Sequence, residues 1–453
     1  MVLFVALMIL PGIFGAHMYV LIWLSRRRDG LLARQRETIA SFQVTATDTD
    51  WPVVTTQLPI YNEVAVVERL IDAVAAIDYP RDRHEIQILD DSNDATRDVI
   101  DRAAWRWRDR GVDIKVVRRS NRTHYKAGAL AHGVTTARGE FIAIFDADFL
   151  PGPDFLRNLI PLALVDAKVA CVQGRWGHLN RDETWITRAV ALGMDGHFAI
   201  EQPARAWNGM LLNFNGTAGL WRRSAIDAPG VGGWSGDTVT EDLDLSYRAQ
   251  LAGWKIVFHL DAEAPAEIPA DVNALKAQQR RWATGSIQTA RKLLGRVWRS
   301  PLPLSTKAEA TLHLLGYSVN LWMLLMAVIG QPLLWIGDPD LMTAWFGVTS
   351  AIVVFAAIGP SLAYMLARRR LTGKWPRAST LIGLITVGFG LSVNNGLAVI
   401  NGWFTRGGEF VRTPKSGSAG AARGVSRYRA VRSRVWAIEI VLGVWCVAQW
   451  VIA

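Results

Sequence analysis

Two carboxylates one residue apart, Asp146 and Asp148, directly follow an apolar run with the pattern of a buried strand. At this spacing both can bind one hard divalent cation, and the same cation can hold a diphosphate group. A second acidic cluster, Glu241, Asp242 and Asp244, stands near the start of a helical pattern. Carboxylates in that position also interact favourably with the helix dipole, which is an alternative for Glu241 and Asp244. The residue types favour chemistry on a phosphorylated ligand if the fold brings both clusters together.

The elements that must position these residues are short apolar strands that alternate with helical patterns. Strands are predicted at Val53–Leu58, Ile86–Leu89, Ile114–Val117 and Phe141–Phe145, and helices at Glu63–Ala76, at Asp94–Arg108 and after Lys126. This alternation predicts an α/β fold with a mixed, mostly parallel sheet and flanking helices. The sequence has no GxxxxGK[ST] or GxGxxG loop, which disfavours a P-loop or a dinucleotide-binding fold.

Polar clusters follow three of the predicted strands. They are Tyr61–Glu63, Asp90–Asp94 and Asp146–Phe149. Ligands of parallel sheets bind at the carboxyl ends of the strands, so the three clusters are expected at one edge of the sheet. Turn formation and helix capping are the alternative, and they account best for Asn93 and Asp94.

Apolar residues are unevenly distributed along the 453-residue chain, which carries a formal net charge of +10. Runs long enough to cross a hydrocarbon core of roughly 30 Å are Val2–Leu24, Thr311–Ile336, Leu341–Ala367, Ser379–Phe404 and Val435–Ala453. The first run is predicted to be an anchor with Arg26–Arg28 in the cytoplasm. A cleaved signal peptide is the alternative, but no basic region precedes the run. With two cysteines no disulfide framework is available, which fits a cytoplasmic soluble part.

The basic residues conflict with a simple count of membrane crossings. Arg368–Arg370 place the end of the run 341–367 inside, so a crossing by Ser379–Phe404 would put the basic segment 405–434 outside. We favour a re-entrant segment that dips into the membrane and returns, with its glycines and asparagines lining a cavity walled by protein. An ordinary span followed by a short basic outer loop is the alternative.

Four motifs occur in the order D, DxD, [TE]D and QxxRW. They are Asp91 in LDDS, Asp146 and Asp148 in DAD, Asp242 in TED, and Gln278, Arg281 and Trp282 in QQRRW. With this set the chain resembles the processive glycosyltransferases of family 2, the cellulose, hyaluronan and chitin synthases. Stretches such as HYKAGAL, FNGTAGLWRRSAI and EFVRTPK resemble the plant cellulose-synthase-like A and C proteins, which make β-1,4-mannan, glucomannan or glucan backbones, and their bacterial relatives. The short length favours a bacterial relative, and the resemblance implies a GT-A type nucleotide-sugar-binding fold.

The resemblance implies a role for each motif. Residues implied in donor binding are Tyr61, Glu63, Asp91, Lys126, Asp146, Gln278, Arg281 and Lys415. Asp146 and Asp148 are the implied ligands of Mg²⁺ or Mn²⁺, and Asp242 is the implied general base that takes the proton from the acceptor hydroxyl. Residues implied in acceptor binding are Trp282, Asn215, Thr217 and Glu241. Direct displacement would convert an α-linked donor into a β-linked product.

The segment Lys276–Gln288 allows two interpretations. An arginine offers a planar donor fork to a diphosphate, and a tryptophan offers a flat face to a sugar. The alternative is a basic amphipathic helix that lies on an anionic lipid surface. We assign Arg280 and the residues after Gly285 to the lipid surface, and the motif residues to the site.

EFVRTPK fits the FxVTxK pattern of a loop that folds over the donor pocket in the synthases. Phe410, Thr413 and Lys415 match this pattern, whereas Arg412 replaces the valine. The match requires a cytoplasmic loop, which supports a re-entrant segment before it.

The chain is therefore predicted to divide into six regions. These are an N-terminal transmembrane helix (1–25), a cytoplasmic glycosyltransferase domain (50–265), interfacial amphipathic helices with QxxRW (266–308), transmembrane helices with the re-entrant segment (309–404), a cytoplasmic gating loop (405–434) and a C-terminal transmembrane helix (435–453). The expected location is the inner (plasma) membrane, with lipid contacts and no nucleic acid partner.

The leading hypothesis is an inverting, processive β-glycosyltransferase. It would polymerise hexose from UDP-glucose or GDP-mannose into a β-1,4-linked polysaccharide and translocate the growing chain. One alternative is transfer of a single sugar to a membrane lipid, and another is a non-enzymatic membrane scaffold that keeps the fold. The motifs do not distinguish glucose from mannose.

Overall fold

The structure is a computed structural model that describes residues 2–335, 339–408 and 435–452. Its strands are β1 (Val54–Ile60), β2 (His84–Asp90), β3 (Asp113–Val117), β4 (Phe141–Ile144), β5 (Val169–His178), β6 (Gly219–Arg222) and β7 (Lys255–Ala266). The helices before β7 are α1 (Val2–Arg27), α2 (Gly30–Thr45), α3 (Val67–Ala75), α4 (Thr96–Asp109), α5 (Tyr125–Thr136), α6 (Phe155–Leu164), α7 (Trp185–Gly196), α8 (Gln202–Ala206), α9 (Arg223–Ile226) and α10 (Glu241–Leu251). Those after β7 are α11 (Val272–Arg299), α12 (Leu304–Leu314), α13 (Ser318–Trp335), α14 (Pro339–Thr372), α15 (Ala378–Gly390), α16 (Ser392–Phe404) and α17 (Trp436–Ile452).

The strands form one sheet in the order β3-β2-β1-β4-β6-β5-β7. Strands β1 to β4 run parallel, β6 is antiparallel to both its neighbours, and β7 is parallel to β5. The predicted mixed, mostly parallel sheet with flanking helices is therefore confirmed. The strands β5, β6 and β7, which complete the sheet, lie beyond the predicted ones.

Apolar side chains along β4 alternate between the two faces of the sheet. Phe141 and Ala143 pack in the core with α3 and α4, whereas Ile142 and Ile144 pack in the core with α5. Helices cover both faces of the sheet at β4. The sequence of this strand is therefore a continuous apolar run. The register pairs Ile60 at the end of β1 with Asp90 at the end of β2, so the polar residues that follow these strands leave the sheet side by side.

Two helices in the described residues are long and apolar enough to cross a membrane, Ile9–Arg27 of α1 and Ser350–Thr372 of α14. They pack closely, because a Cβ on Gly15 would lie 2.3 Å from Cα of Ala356. Small residues permit such contact between membrane helices. The described chain is therefore that of a membrane protein.

Two further apolar segments are broken helix pairs. The predicted span Thr311–Ile336 overlaps α12 and α13, which meet at an angle of 60° and together are apolar enough for one broken span. Helices α15 and α16 meet at 45° near Leu391, and together they are also apolar enough for a span. The last predicted span corresponds to α17, whose apolar part Trp436–Gln449 is shorter than a full crossing.

Both halves of the α15–α16 pair contact helices that lie outside the predicted spans. Gly383 of α15 lies against Trp185 and Ala189 of α7. Gly402 near the end of α16 lies against Ile287 of α11. Both helices of the pair are therefore packed against other helices of the described chain.

The assignment of the residues after Gly285 to a lipid surface is wrong for most of the second half of α11. Ser286 to Ala290, Leu293 and Val297 are buried against protein. Arg291 donates to the carbonyl oxygens of Trp403 and Thr405, and Lys292 pairs with Asp237 at 2.8 Å and Asp244 at 2.7 Å. Arg291 and Lys292, two of the cations that suggested contact with an anionic membrane, are therefore bound by protein partners distant in sequence.

The close contact of α11 with α16 gives a test of this architecture. A Cβ on Gly402 would lie 2.8 Å from both Cβ of Ile287 and the carbonyl oxygen of Thr284, whereas a Cβ on Gly388 would meet no atom of the described residues within 4 Å. Alanine is favoured over glycine in a helix by about 1 kcal/mol. We expect Gly402→Ala to lower the thermal unfolding midpoint in detergent, and the matched Gly388→Ala to leave it unchanged or raise it. Equal midpoints for both variants would contradict the packing.

Candidate active site

One cavity opens at the carboxyl ends of β1, β2 and β4. The residues predicted to contact a ligand that line it are Tyr61, Glu63, Asp91, Lys126, Asp146, Asp148, Asn215, Glu241, Asp242, Gln278, Arg281 and Trp282. They come from strand ends, from α5 and α10, from the loop before β6 and from α11. The structure thus brings the four motifs together.

Among the described residues, one predicted site residue is not part of this wall. Thr217 was expected to contact the acceptor, but its side chain is fully buried and its Oγ1 accepts a hydrogen bond of 2.9 Å from the backbone N–H of Asp146. Thr217 therefore supports the DAD turn from behind. Lys415, and with it the predicted match to FxVTxK, lies outside the described residues.

Lys126 lies at the centre of the carboxylates. Its Nζ donates to Oδ1 of Asp146 at 2.5 Å and to the carbonyl oxygen of Gly216 at 2.9 Å, and it lies 3.9 Å from Glu241. Burial alone would lower the pKa of Lys126, but Asp146, Glu241 and Asp242 outweigh it and raise the pKa. The ammonium is therefore a permanent positive charge in the cavity.

Asp242 stands in the first turn of α10, beside this cluster. Burial, followed by repulsion from Glu241, raises the pKa of the Asp242 carboxyl to about 7, although Lys126 opposes the shift. Gly216 leaves the necessary room, since a Cβ there would lie 2.8 Å from Oδ2 of Asp242, and its φ of +80° also favours glycine. A carboxylate with a pKa near neutrality can take a proton and release it again.

The helix α11 supplies the remaining motif side chains. Burial lowers the pKa of Arg281, and the nearby carboxylates of Glu241, Asp146 and Asp242 offset only part of this shift. The guanidinium of Arg281 therefore lies close to the same acidic cluster. Trp282 lies with its ring centroid 6.3 Å from that of Trp176, at an angle of 54°. Two indole rings thus border one end of the cavity.

At the β1–β2 end, Asp91 forms a paired contact with Arg119, with one hydrogen bond of 3.0 Å between Nε and Oδ1. The guanidinium of Arg122 lies over the Tyr61 ring at 3.2 Å from its centroid, and 4.9 Å from that of Tyr125. This end offers a planar cation, an aromatic ring and a carboxylate, which suit a nucleobase and ribose.

Several lining residues were missed by the sequence reasoning. They are Arg122, Tyr125, Trp176, His178 and Glu267. Arg122 and Tyr125 flank a motif lysine and were detectable from proximity in sequence. The others lie on or after β5 and β7, which the alternation pattern did not predict.

The carboxylates of Asp146 and Asp148 are oxygen ligands of the kind that Mg²⁺ and Mn²⁺ prefer. No group of three His, Cys, Asp or Glu side chains in the described residues is arranged to hold a metal. A cation of this type commonly uses one or two protein carboxylates and takes further oxygens from substrate phosphates and water. Two carboxylates in an open cavity fit a divalent cation that binds together with a diphosphate.

The described start of the basic segment reaches this site. Gly407 donates its N–H to the carbonyl oxygen of Asp237 at 2.7 Å, and its own carbonyl accepts from Gln288 at 2.8 Å. Gly408 borders a small pocket together with Lys126 and Glu241. The chain that leaves α16 therefore starts beside the acidic cluster.

A mostly parallel sheet with a DxD pair after an inner strand, in one cavity with a buried lysine, is the GT-A architecture of nucleotide-sugar-dependent glycosyltransferases. The family described as "Glycosyltransferase like family 2" matches residues 52–285, more than half of the chain. The chain belongs to this family and is a glycosyltransferase, which confirms the predicted resemblance.

Curated relatives include glucomannan 4-beta-mannosyltransferase 7 of Arabidopsis thaliana, 41% identical over 254 residues that cover 55% of this chain and 45% of the relative. Glucomannan 4-beta-mannosyltransferase 1 of Oryza sativa subsp. japonica is also 41% identical over 254 residues, with 55% and 48% covered. The chain spans about half the length of the curated relatives it matches.

Among solved structures, the mannosyltransferase PcManGT of Pyrobaculum calidifontis, in complex with GDP-Man and Mn²⁺, has a similar fold. The TM-score is 0.51 at 22% identity, and the match covers 79% of this chain and 99% of the other. At this identity the likeness supports the fold.

The raised pKa of Asp242 links proton binding to stability. The pKa of this carboxyl is higher in the folded state than in the unfolded state. The free energy of unfolding therefore falls as the pH rises from the ordinary pKa of an aspartate towards about 7. Asp242→Asn removes this cost, so its stabilising effect on the ligand-free protein should be larger at pH 8 than at pH 5 by about 1–2 kcal/mol. Chemical denaturation at both pH values measures the difference, with the exposed Asp109→Asn as control. An equal effect at both pH values would contradict the assigned environment.

Proposed function

We propose that the protein is an inverting, processive membrane β-glycosyltransferase that transfers hexose from a nucleotide sugar to a growing β-1,4-linked polysaccharide. The observation that carries the proposal is the convergence of Asp146, Asp148, Asp242, Arg281 and Trp282 on one cavity. The identity to plant glucomannan 4-beta-mannosyltransferases supports this substrate class, with GDP-mannose or UDP-glucose as the donor.

The donor would lie across the sheet edge. Tyr61, Glu63 and Asp91 would contact the base and ribose, and Arg122 adds a planar cation beside Tyr61. Lys126 and Arg281 would contact the diphosphate, since both cations face the acidic cluster in which it would bind. Lys126 must then exchange its bond to Asp146 for a bond to phosphate.

A divalent cation held by Asp146 and Asp148 would neutralise charge that grows on the departing diphosphate. The residues of the chain act on the same charge. Arg281 donates from a planar guanidinium, and Gln278 from an amide on the same helix. Because burial strengthens these interactions, they favour departure of the leaving group more than they would in water.

Asp242 would be the general base. The acceptor hydroxyl passes its proton to the Asp242 carboxylate as its oxygen attacks the anomeric carbon, and the bond to the diphosphate breaks on the opposite face. This direct displacement inverts the anomeric configuration. General base catalysis of this kind contributes roughly 10²- to 10⁴-fold to the rate.

The acceptor sugar would lie at the end bordered by the indoles. Trp282 offers an apolar face to the sugar ring, and Asn215 and Glu241 offer polar groups to its hydroxyls. Thr217 is left out of this role because its hydroxyl is buried against Asp146.

Polar residues among the membrane helices favour the proposal that the product is exported. Behind the QxxRW helix, Asn394 and Asn395 are buried, and Lys276 of α11 pairs with Glu439 of α17 at 2.6 Å. Polar groups between apolar helices are costly and mark functional paths. The catalytic domain would face the cytoplasm together with the ends of α1 and α14, since Arg370 contacts Asp29 and the carbonyl oxygen of Ala199.

The direct test is product analysis. The protein purified in detergent is incubated with Mg²⁺ or Mn²⁺ and, separately, with radiolabelled GDP-mannose and UDP-glucose, and the product is digested with β-1,4-specific mannanase or glucanase. We expect a polymer from one donor that the matching enzyme degrades. A product of one sugar on lipid would instead establish single transfer, and lack of transfer from any nucleotide sugar would contradict the proposal.

Asp242→Asn tests the base assignment. Asparagine keeps the size of the side chain but cannot take up the proton, so transfer should fall by at least roughly 10²-fold. Binding of the nucleoside diphosphate, measured by calorimetry, should stay within about threefold of the wild type, because Asp242 is not assigned to the donor. Retained transfer would exclude Asp242 as the base.

A further inference from the structure

The amide of Asn215 has a defined orientation at the cavity wall. Its Oδ1 accepts two hydrogen bonds of 2.9 Å, one from Nε2 of His197 and one from Nδ2 of Asn213. Its backbone N–H donates to Oε1 of Gln173 at 2.8 Å, which holds the main chain. Both the side chain and the backbone of this residue are therefore held by protein partners.

This arrangement leaves the amide nitrogen of Asn215 for a ligand. Nδ2 is buried, and no residue in the described part of the chain accepts a hydrogen bond from it. Asn215 itself lines the cavity. A buried donor without a partner destabilises the protein. A hydroxyl or ring oxygen of a sugar in the cavity would supply the missing acceptor.

The orientation depends on His197. An amide can be rotated by half a turn with little change in shape, so packing alone does not decide which end faces the cavity. Because the amide oxygen can only accept, the bond from His197 requires a proton on Nε2. The NH₂ group of Gln202, which lies 3.2 Å from the same Nε2, then donates to the carbonyl oxygen and Oδ1 of Asn213 and not to His197. If Asn215 were reversed, its NH₂ group would face Nδ2 of Asn213 and Nε2 of His197, both of which are donors in this arrangement.

His197 in turn stands at one end of a chain of polar contacts that reaches the membrane helix α1. Its Nδ1 lies 3.6 Å from Oε2 of Glu201, which pairs with Arg205 at 3.0 Å. Arg205 donates to Glu309 of α12 at 2.8 Å, and Glu309 contacts His17 of the membrane helix α1 at 2.5 Å. Buried ions of this kind are held firmly, because breaking one pair leaves an uncompensated charge.

The local backbone also distinguishes this segment. Residues His197–Glu201 form a π-helical turn between α7 and α8. Such turns are rare and occur frequently at functional sites. Contact between the catalytic domain and α1 accounts for the ion pair of Arg205 with Glu309. The same contact does not require a hydrogen bond from His197 to a residue of the cavity wall.

We infer that His197 is a positioning residue that holds the Asn215 amide with Nδ2 towards the cavity, where it donates a hydrogen bond to an oxygen of the acceptor sugar. The inference rests on the proposed function, because the ligand at this end of the cavity is the acceptor. It adds a residue outside the cavity wall that acts through Asn215.

A double-mutant cycle tests this arrangement. Binding of β-1,4-mannotetraose and of cellotetraose to the full-length protein in detergent is measured by calorimetry for the wild type, Asn215→Ala, His197→Leu and the double variant. Each single variant should weaken binding of the preferred tetrasaccharide by roughly three- to tenfold, the loss of one hydrogen bond. The double variant should be no weaker than Asn215→Ala alone, because His197 acts through Asn215.

Two controls separate positioning from general damage. His197→Gln can keep an N–H near the place of Nε2 and should restore affinity to within about twofold of the wild type, whereas the exposed His132→Leu should have no effect. Affinity for the nucleoside diphosphate should be unchanged in all variants. If His197→Leu does not fold, His197→Asn, which is too short to reach Asn215, takes its place in the cycle.

The outcomes distinguish the two levels of the account. The role of His197 would be overturned if His197→Leu kept its tetrasaccharide affinity or if the losses multiplied in the double variant. It would also be overturned if the wild-type protein transferred sugar but bound neither tetrasaccharide. Each of these results would leave the proposed function standing. Failure of the wild-type protein to transfer sugar from any nucleotide sugar would remove the proposed function and this inference with it.

Discussion

The structure depends on the compensation of a buried acidic cluster by two cations. Asp146, Glu241 and Asp242 border one cavity with Lys126 and Arg281, and Nζ of Lys126 bridges Asp146 and the backbone of Gly216. Without these cations the carboxylates would repel one another in a poorly solvated space. The cluster explains why α5, α10 and α11 must meet at the sheet edge. Burial, followed by repulsion from Glu241, raises the pKa of Asp242 to about 7.

The helix α11 connects this cluster to the membrane. Its first half carries the QxxRW side chains into the cavity, and its second half packs against α16 and the loop before α10. Gln288 accepts from the N–H of Val239 and donates to the carbonyl oxygen of Gly407, so it joins the loop that precedes Asp242 to the chain that leaves the membrane. A shift of α16 would therefore be transmitted to the loop that precedes Asp242.

Much of the sheet and the motif clusters could be predicted, because strand periodicity and the polar residues that follow strands are local signals. The exceptions have long-range causes. Thr217 has the sequence context of an exposed turn, but the pairing of β6 with β4 buries its hydroxyl behind Asp146. Arg291 and Lys292 belong to a basic pattern typical of a lipid surface, yet their partners lie more than forty positions away along the chain, as the contacts with Thr405 and Asp237 illustrate. His197 carried no local signal, since its importance comes from the contact with Asn215.

The central claim is that Lys126 and Arg281, the two cations beside the acidic cluster, bind the donor diphosphate. A cryo-EM structure of the protein with a bound nucleoside diphosphate and Mn²⁺ tests it most directly. The account predicts that the diphosphate lies between these two cations, that Lys126 has left Asp146 for phosphate, and that the metal contacts Asp146 and Asp148. A diphosphate bound outside this cavity, or a Lys126 that stays on Asp146 with no phosphate contact, would contradict it.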